Sequence, residues 1–209
     1  MNDLTWTSPS AAMDMVYDVR EEGIEGLDLA LLRPRAKGAD NTLARLLGAK
    51  LQPMKPEPGS WTTPCGWPVT ARDHRLVLSA GAPDPVSLTR LVGDYDAATR
   101  PQQRLLAAVL TMRFEADRPV HEAMAAATAF ATFRLARERR LTSVVVLHTP
   151  GVELAHAAVV HTHLCVFART SRQSGWHGVH PDLSDQAHAM WADEWRSFLE
   201  IWNKLPPAV

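Results

Sequence analysis

The chain has little cysteine and little tyrosine, two of each in 209 residues. Cys65 and Cys165 cannot build a disulfide framework, so a reducing compartment is expected. Chemistry that needs a phenol has only Tyr17 and Tyr95 to draw on. A surplus of charge is missing as well. Lys and Arg total 22 against 23 Asp and Glu, a formal net charge of −1. No global field attracts nucleic acid or acidic lipid, and a polyanion would need a local basic patch. No apolar run approaches the roughly 20 residues of a membrane helix. The opening "MNDLTWTSPSAAMDMVYD" has neither the basic nor the apolar region of a secretion signal. A cytoplasmic protein without a membrane partner is the expectation. Internal repeats are absent too.

What is present describes an ordinary globular chain, 46% hydrophobic and 22% charged. Its length allows one domain, or one domain with an extension. Residues 1–72 are broken by Pro34, Pro53, Pro56, Pro58, Pro64 and Pro68, each of which removes a backbone donor. They read as an extension packed on the main domain, with one short helix near 41–51 and otherwise irregular chain. The domain proper spans 73–209.

Within it, "HRLVLSAG" reads as a strand and "SLTRLVGDY" as a helix. In "VLTMRFEAD", Leu110, Met112, Phe114 and Ala116 alternate with Thr111, Arg113 and Glu115, the period of a half-buried strand. "DRPVHEAMAAATAFATFRLARERR" is the clearest helix: Asp117 can cap it, Pro119 fits its first turn, and alanine favours it. Val120, Met124, Ala127, Ala131 and Leu135 form its core stripe. Arg134, Arg137, Arg139 and Arg140 gather at its C-terminal end. They either complement the helix dipole or form a DNA-binding patch. "TSVVVLH" reads as a further strand. In the final helix, Trp191, Trp195, Phe198, Trp202 and Leu205 share one face, which means packing in the core or against a protein partner.

The chemistry concentrates in "VVHTHLCVFAR", residues 159–169. Strand alternation puts His161, His163, Cys165 and Phe167 on one face, and Val160, Thr162, Leu164, Val166 and Ala168 on the other. The second set can pack under the Ala-rich helix. The first presents two parallel imidazoles about 7 Å apart at the backbone, able to chelate one divalent ion. Candidates for a third ligand are His148, which ends the preceding strand, His156 and Cys165. His177, His180 and His188 follow further on.

The order strand, long helix, strand ending in histidine, connection, strand carrying His-x-His resembles the catalytic core of MobA/MobL-type conjugative relaxases of the HUH endonuclease superfamily. The matching text is "LTSVVVLHTPGVELAHAAVVHTHLCVFART", with "VLTMRFEAD" and the Ala-rich helix before it and a "W…EW" helix after it. The likeness covers about residues 105–203. It implies an α+β fold: a two-layer sandwich of an antiparallel sheet with helices packed on one face. It also implies a divalent metal (Mg, Mn or Zn) held by His148, His161 and His163, and single-stranded DNA as partner. Tyr17 is the implied nucleophile, attacking a metal-polarised phosphate to leave a phosphotyrosyl link. The chain departs from the pattern at Thr162, where a bulky hydrophobic residue is usual, in the length of the connection from His148 to His161, and in the surroundings of Tyr17.

Two rival readings share the same residues. "HTHLCVF" is similar to the His-x-His-x-His strand of the histidine triad hydrolases and transferases, with Cys165 in the third position. Alternatively, the domain is a regulatory or partner-binding module with a degenerate site.

Overall fold

The computed structural model describes residues 6–19, 21–60, 66–115, 117–149 and 159–205. Its backbone is one antiparallel sheet built outward from a long central strand, β8 (His161–Arg172). The strands that flank it are β6 (Ala107–Arg113) and β7 (Leu141–His148). Beyond β6 come β2 (Leu27–Leu32) and then β1 (Val16–Asp18). Beyond β7 lies β5 (Asp73–Val77). A further strand, β9 (Gly175–Val179), folds back on the second half of β8. All pairings are antiparallel. β6, β7 and β8 are apolar over most of their length because both of their faces are covered.

One face carries α4 (Val120–Phe130), whose chain continues as a π-helical turn (Ala131–Arg137), and α5 (His188–Trp202). Leu164, Val166 and Ala168 of β8 meet this layer as their alternation predicts. Phe130 sits edge-on to Trp191, Trp195 and Phe198 at the centre of the layer. The tryptophan face of α5 is therefore used inside the fold. Arg139 locks the layer: it bonds both carboxylate oxygens of Glu194 at 2.9 and 2.7 Å and Asp182 at 2.7 Å, and lies over the Trp191 ring. These elements give the expected α+β sandwich of an antiparallel sheet and helices. The expected two layers with helices on one face become three, because the second face is covered as well.

The opposite face has its own cover. The short α1 (Pro9–Met15), α2 (Leu43–Leu51) and α3 (Leu88–Ala97) pack there, around Val144, Val146, Cys165 and Phe167. Leu43, Leu46, Leu47 and Leu51 of α2 are fully buried, each worth about 2 kcal/mol of apolar transfer. Tyr95 of α3 donates its hydroxyl to the Leu106 carbonyl at 2.7 Å and meets Phe167 and Trp176 edge-on.

Residues 1–72 are thus more than an irregular cover. The helix near 41–51 forms as expected, but residues 16–32 supply β1 and β2 to the main sheet. β2 alternates correctly, with Leu27, Leu29 and Leu31 facing α4 and α5. Its partner β6 lies some 80 positions along the chain, and no local pattern encodes that pairing. After β2, β3 (Arg35–Ala36) and β4 (Ala39–Asp40) form a small hairpin. Lys37 and Gly38 close it with positive φ, as a type I′ turn requires. Among the described residues, no helix is long and apolar enough to cross a membrane.

Candidate metal centre

β7 and β8 pair so that His148 lies directly opposite His161, while His163 stands two residues further along β8. All three side chains leave the same sheet face, and their rings are 4.9 to 5.2 Å apart between centroids. One ligand nitrogen from each lies within 4.8 Å of the others. The strand register alone assembles this triad.

Hydrogen bonds set which nitrogen each ring offers. Nε2 of His148 donates to the Lys50 carbonyl at 2.8 Å, which leaves Nδ1 with its lone pair. Nδ1 of His161 donates to the Val159 carbonyl at 3.0 Å, and Nε2 is that ring's other potential ligand atom. Nδ1 of His163 pairs with Thr111 Oγ1 at 2.8 Å, so a proton there leaves Nε2 free to accept. Protein acceptors on the far nitrogen of each ring are the outer-shell pattern of metal-binding histidines. The donor set also fits electrostatically, because metals bind neutral imidazole. Burial pulls His148 down to about 4, helped by the charges of His161 and Lys50 against the bond to the Lys50 carbonyl. Burial likewise holds His163 well below the ordinary range, with Lys50, His148, His161 and Arg113 pushing the same way. The residues fit a divalent ion with nitrogen ligands. Metal–nitrogen bonds of about 2.1 Å would require the rings to draw closer together.

Three further residues belong to this site. Thr111 and Arg113 of β6 stand opposite His163 and His161. Arg113 also pairs with Asp28 of β2. Lys50, at the end of α2, places Nζ 3.4 Å from His163 Nε2. Burial lowers its pKa, and the neighbouring Cys165 opposes that shift. The sequence placed Thr111 and Arg113 on the polar side of their strand, but only the strand register links them to the histidines. Nothing in the sequence placed α2 over this face.

Other proposed site residues lie elsewhere. Cys165 is fully buried beneath α2 and α3, and burial pushes its thiol up to about 12, so it offers no thiolate. His156 lies outside the described residues, as do Cys65 and Ala116. Tyr17 sits on the edge strand β1, three strands from β8 and in the row of Val166. That puts its backbone roughly 17 Å from that of His163. Its partner Leu31 faces α4 and α5, so Tyr17 leaves the sheet on the side away from the triad, with Arg33 stacked on its ring. The structure does not bring Tyr17 to the histidines, and Tyr95 is buried with its hydroxyl committed.

The arginine group is also remote. Arg134, Arg137, Arg139 and Arg140 follow one another where the π-helical turn meets the start of β7, about 23 Å of strand away from His148. Arg134 and Arg139 are engaged by Glu138, Glu194 and Asp182. Arg137 covers the exposed Phe133. Arg140 adopts φ +55 and ends the helix. His177, His180 and His188 bond to Ser174, to the amide of Asp182, and to Glu21 and Leu27 respectively, all away from the triad.

No protein-family model matches the chain, and no curated protein matches it in sequence. Among solved structures, the fold is similar to that of a protein from work on the molecular basis of vancomycin resistance transfer in Staphylococcus aureus. The TM-score is 0.51 at 13% sequence identity, over 62% of this chain and 68% of that one. At that identity the likeness is one of fold.

Proposed function

We propose that this chain is a relaxase-type, metal-dependent DNA-processing domain whose centre is the His148–His161–His163 triad. The observation that carries the reading is the triad itself: three imidazoles with a ligand nitrogen each within 4.8 Å of the others, on adjacent antiparallel strands, each hydrogen-bonded to the protein. The fold neighbour comes from a resistance-transfer system, the setting in which conjugative relaxases act. A bound divalent ion would supply Lewis-acid polarisation of a DNA phosphate. Around it, Thr111 and the Lys50 carbonyl hold the rings in place. Arg113 adds positive charge at the end of β6, where a phosphate oxygen would approach.

The positions of Tyr17 and Tyr95 favour the degenerate form of this activity, in which metal and DNA-phosphate binding are kept and transfer to tyrosine is lost. Incubation with single-stranded oligonucleotide and Mn²⁺ tests this directly. The expected result is metal-dependent binding without a covalent protein–DNA adduct. An adduct that disappears in Tyr17→Phe would instead establish full strand transfer, with β1 rearranged to deliver the phenol.

The histidine triad hydrolase reading loses ground at Cys165, since a fully buried third position cannot meet a nucleotide phosphate. A partner surface on the tryptophan helix is disfavoured because Trp191 and Trp195 are core residues.

A further inference from the structure

Lys50 is fixed to the triad at two points. Its carbonyl accepts from His148, and its side chain runs inward to the one nitrogen of His163 left with a lone pair. The Nζ of Lys50 therefore stands 3.4 Å from a nitrogen that a metal on the triad would use. The Lys50 side chain is half-buried, and among the described residues no hydrogen bond or ion pair joins its Nζ to a carboxylate. A partly desolvated cation without a counter-charge is unfavourable, and the usual remedy is a paired anion. Arg113, which stands opposite His161, is itself paired with Asp28.

We infer that Lys50 makes metal binding at the triad conditional on an anion: a divalent ion and a phosphate group of DNA enter the site together. This rests on the triad being a metal centre. Without an anion, the ion must displace the lysine head group from His163 and then sit beside it, cation against cation. A phosphate placed between them takes the metal on one oxygen and the Lys50 ammonium on another, and the repulsion becomes attraction. Because linkage is reciprocal, the anion tightens the metal by the same factor that the metal tightens the anion. The site would then hold its ion when loaded with single-stranded DNA and release it otherwise.

Mn²⁺ affinity, measured by titration calorimetry with and without a short oligothymidylate, tests the inference in the wild type, Lys50→Met and Lys50→Arg. Methionine keeps the backbone carbonyl and most of the apolar stem. For the wild type, the oligonucleotide should tighten Mn²⁺ by at least about tenfold, within the usual range of coupling between sites. Lys50→Met should bind Mn²⁺ alone about tenfold more tightly than the wild type and lose most of the oligonucleotide effect, while Lys50→Arg should behave like the wild type. If a melting curve shows Lys50→Met unfolded, the neutral Lys50→Gln is read in its place. Equal Mn²⁺ affinity in wild type and neutral variant overturns the role of Lys50 and leaves the triad standing. Loss of Mn²⁺ binding in the neutral variant also overturns it, by making the lysine a support of the site. Absence of Mn²⁺ binding in every protein, with and without oligonucleotide, overturns the metal reading itself.

Discussion

Two residues show how closely this site is tied to the stability of the chain. Thr162 stands between His161 and His163 but points to the opposite face, fully buried between Met112 and Leu147 with no partner for its hydroxyl among the described residues. A desolvated hydroxyl without a bond is unfavourable, so Thr162→Val should raise unfolding stability by about 1 kcal/mol. Urea denaturation reads this directly, and a destabilised variant would mean that the hydroxyl has a partner in solution. His148 gives a pH signature. Unfolded, it titrates near 6.5, and folded it stays neutral down to about 4. Between those values the unfolded chain binds more protons. The contribution of His148 is thus complete above pH 6.5 and lost on acidification, up to about 3 kcal/mol. His163 acts in the same sense, while Asp96, raised by burial, opposes it in the carboxylate range. The urea midpoint of the metal-free protein should fall between pH 7 and pH 5, and His148→Asn should flatten the fall. A midpoint insensitive to pH over that range contradicts a neutral, buried His148.

Among the elements, α2 has the largest consequences for the site. Its first turn is held by Thr42, which accepts from the Arg45 amide, and by the carboxylate of Asp96 on α3, which accepts from Leu43 and Ala44 at 2.9 and 3.0 Å. An acid at a helix N-terminus is favourable through both hydrogen bonds and dipole. Asp96→Ala should cost about 1 to 2 kcal/mol. It should also weaken Mn²⁺ binding, because the other end of the same helix carries the Lys50 carbonyl that orients His148. Chemical denaturation and metal titration of one variant check both effects; a loss of stability with unchanged metal affinity would separate the helix from the site. On the opposite layer, Arg139→Ala should cost about 3 kcal/mol, since it removes the guanidinium from Asp182 and leaves Glu194 with only its longer contact to Arg134 in a largely buried setting. The same variant should leave metal binding untouched.

Much of the molecule was legible in the sequence, and the rest was hidden for definite reasons. Period two exposed the two faces of β8, and with them the separation of His161 and His163 from Leu164 and Val166. Alanine content and spacing exposed α4, and the tryptophan repeat exposed the buried face of α5. Hidden were the pairings that span long stretches of chain: β2 with β6, and α2 above the histidine face. These depend on three-dimensional register, so Lys50, Thr111 and Arg113 carried no local mark of the site they share. Tyr17 is the nucleophile that the relaxase resemblance implies, yet its side chain leaves the sheet on the face away from the triad.

At the scale of the whole molecule, the proposed function requires that a divalent ion on His148, His161 and His163 bind the phosphate of single-stranded DNA. Fluorescence anisotropy of a labelled oligonucleotide tests it most directly, in Mn²⁺ and then in excess chelator, for the wild type and for a His161→Ala/His163→Ala variant. Binding should appear in the wild type with Mn²⁺, and should be lost both on chelation and in the double variant. Binding that survives chelator and histidine removal alike, or no binding by the wild type in Mn²⁺, would rule out DNA binding through a metal on the triad.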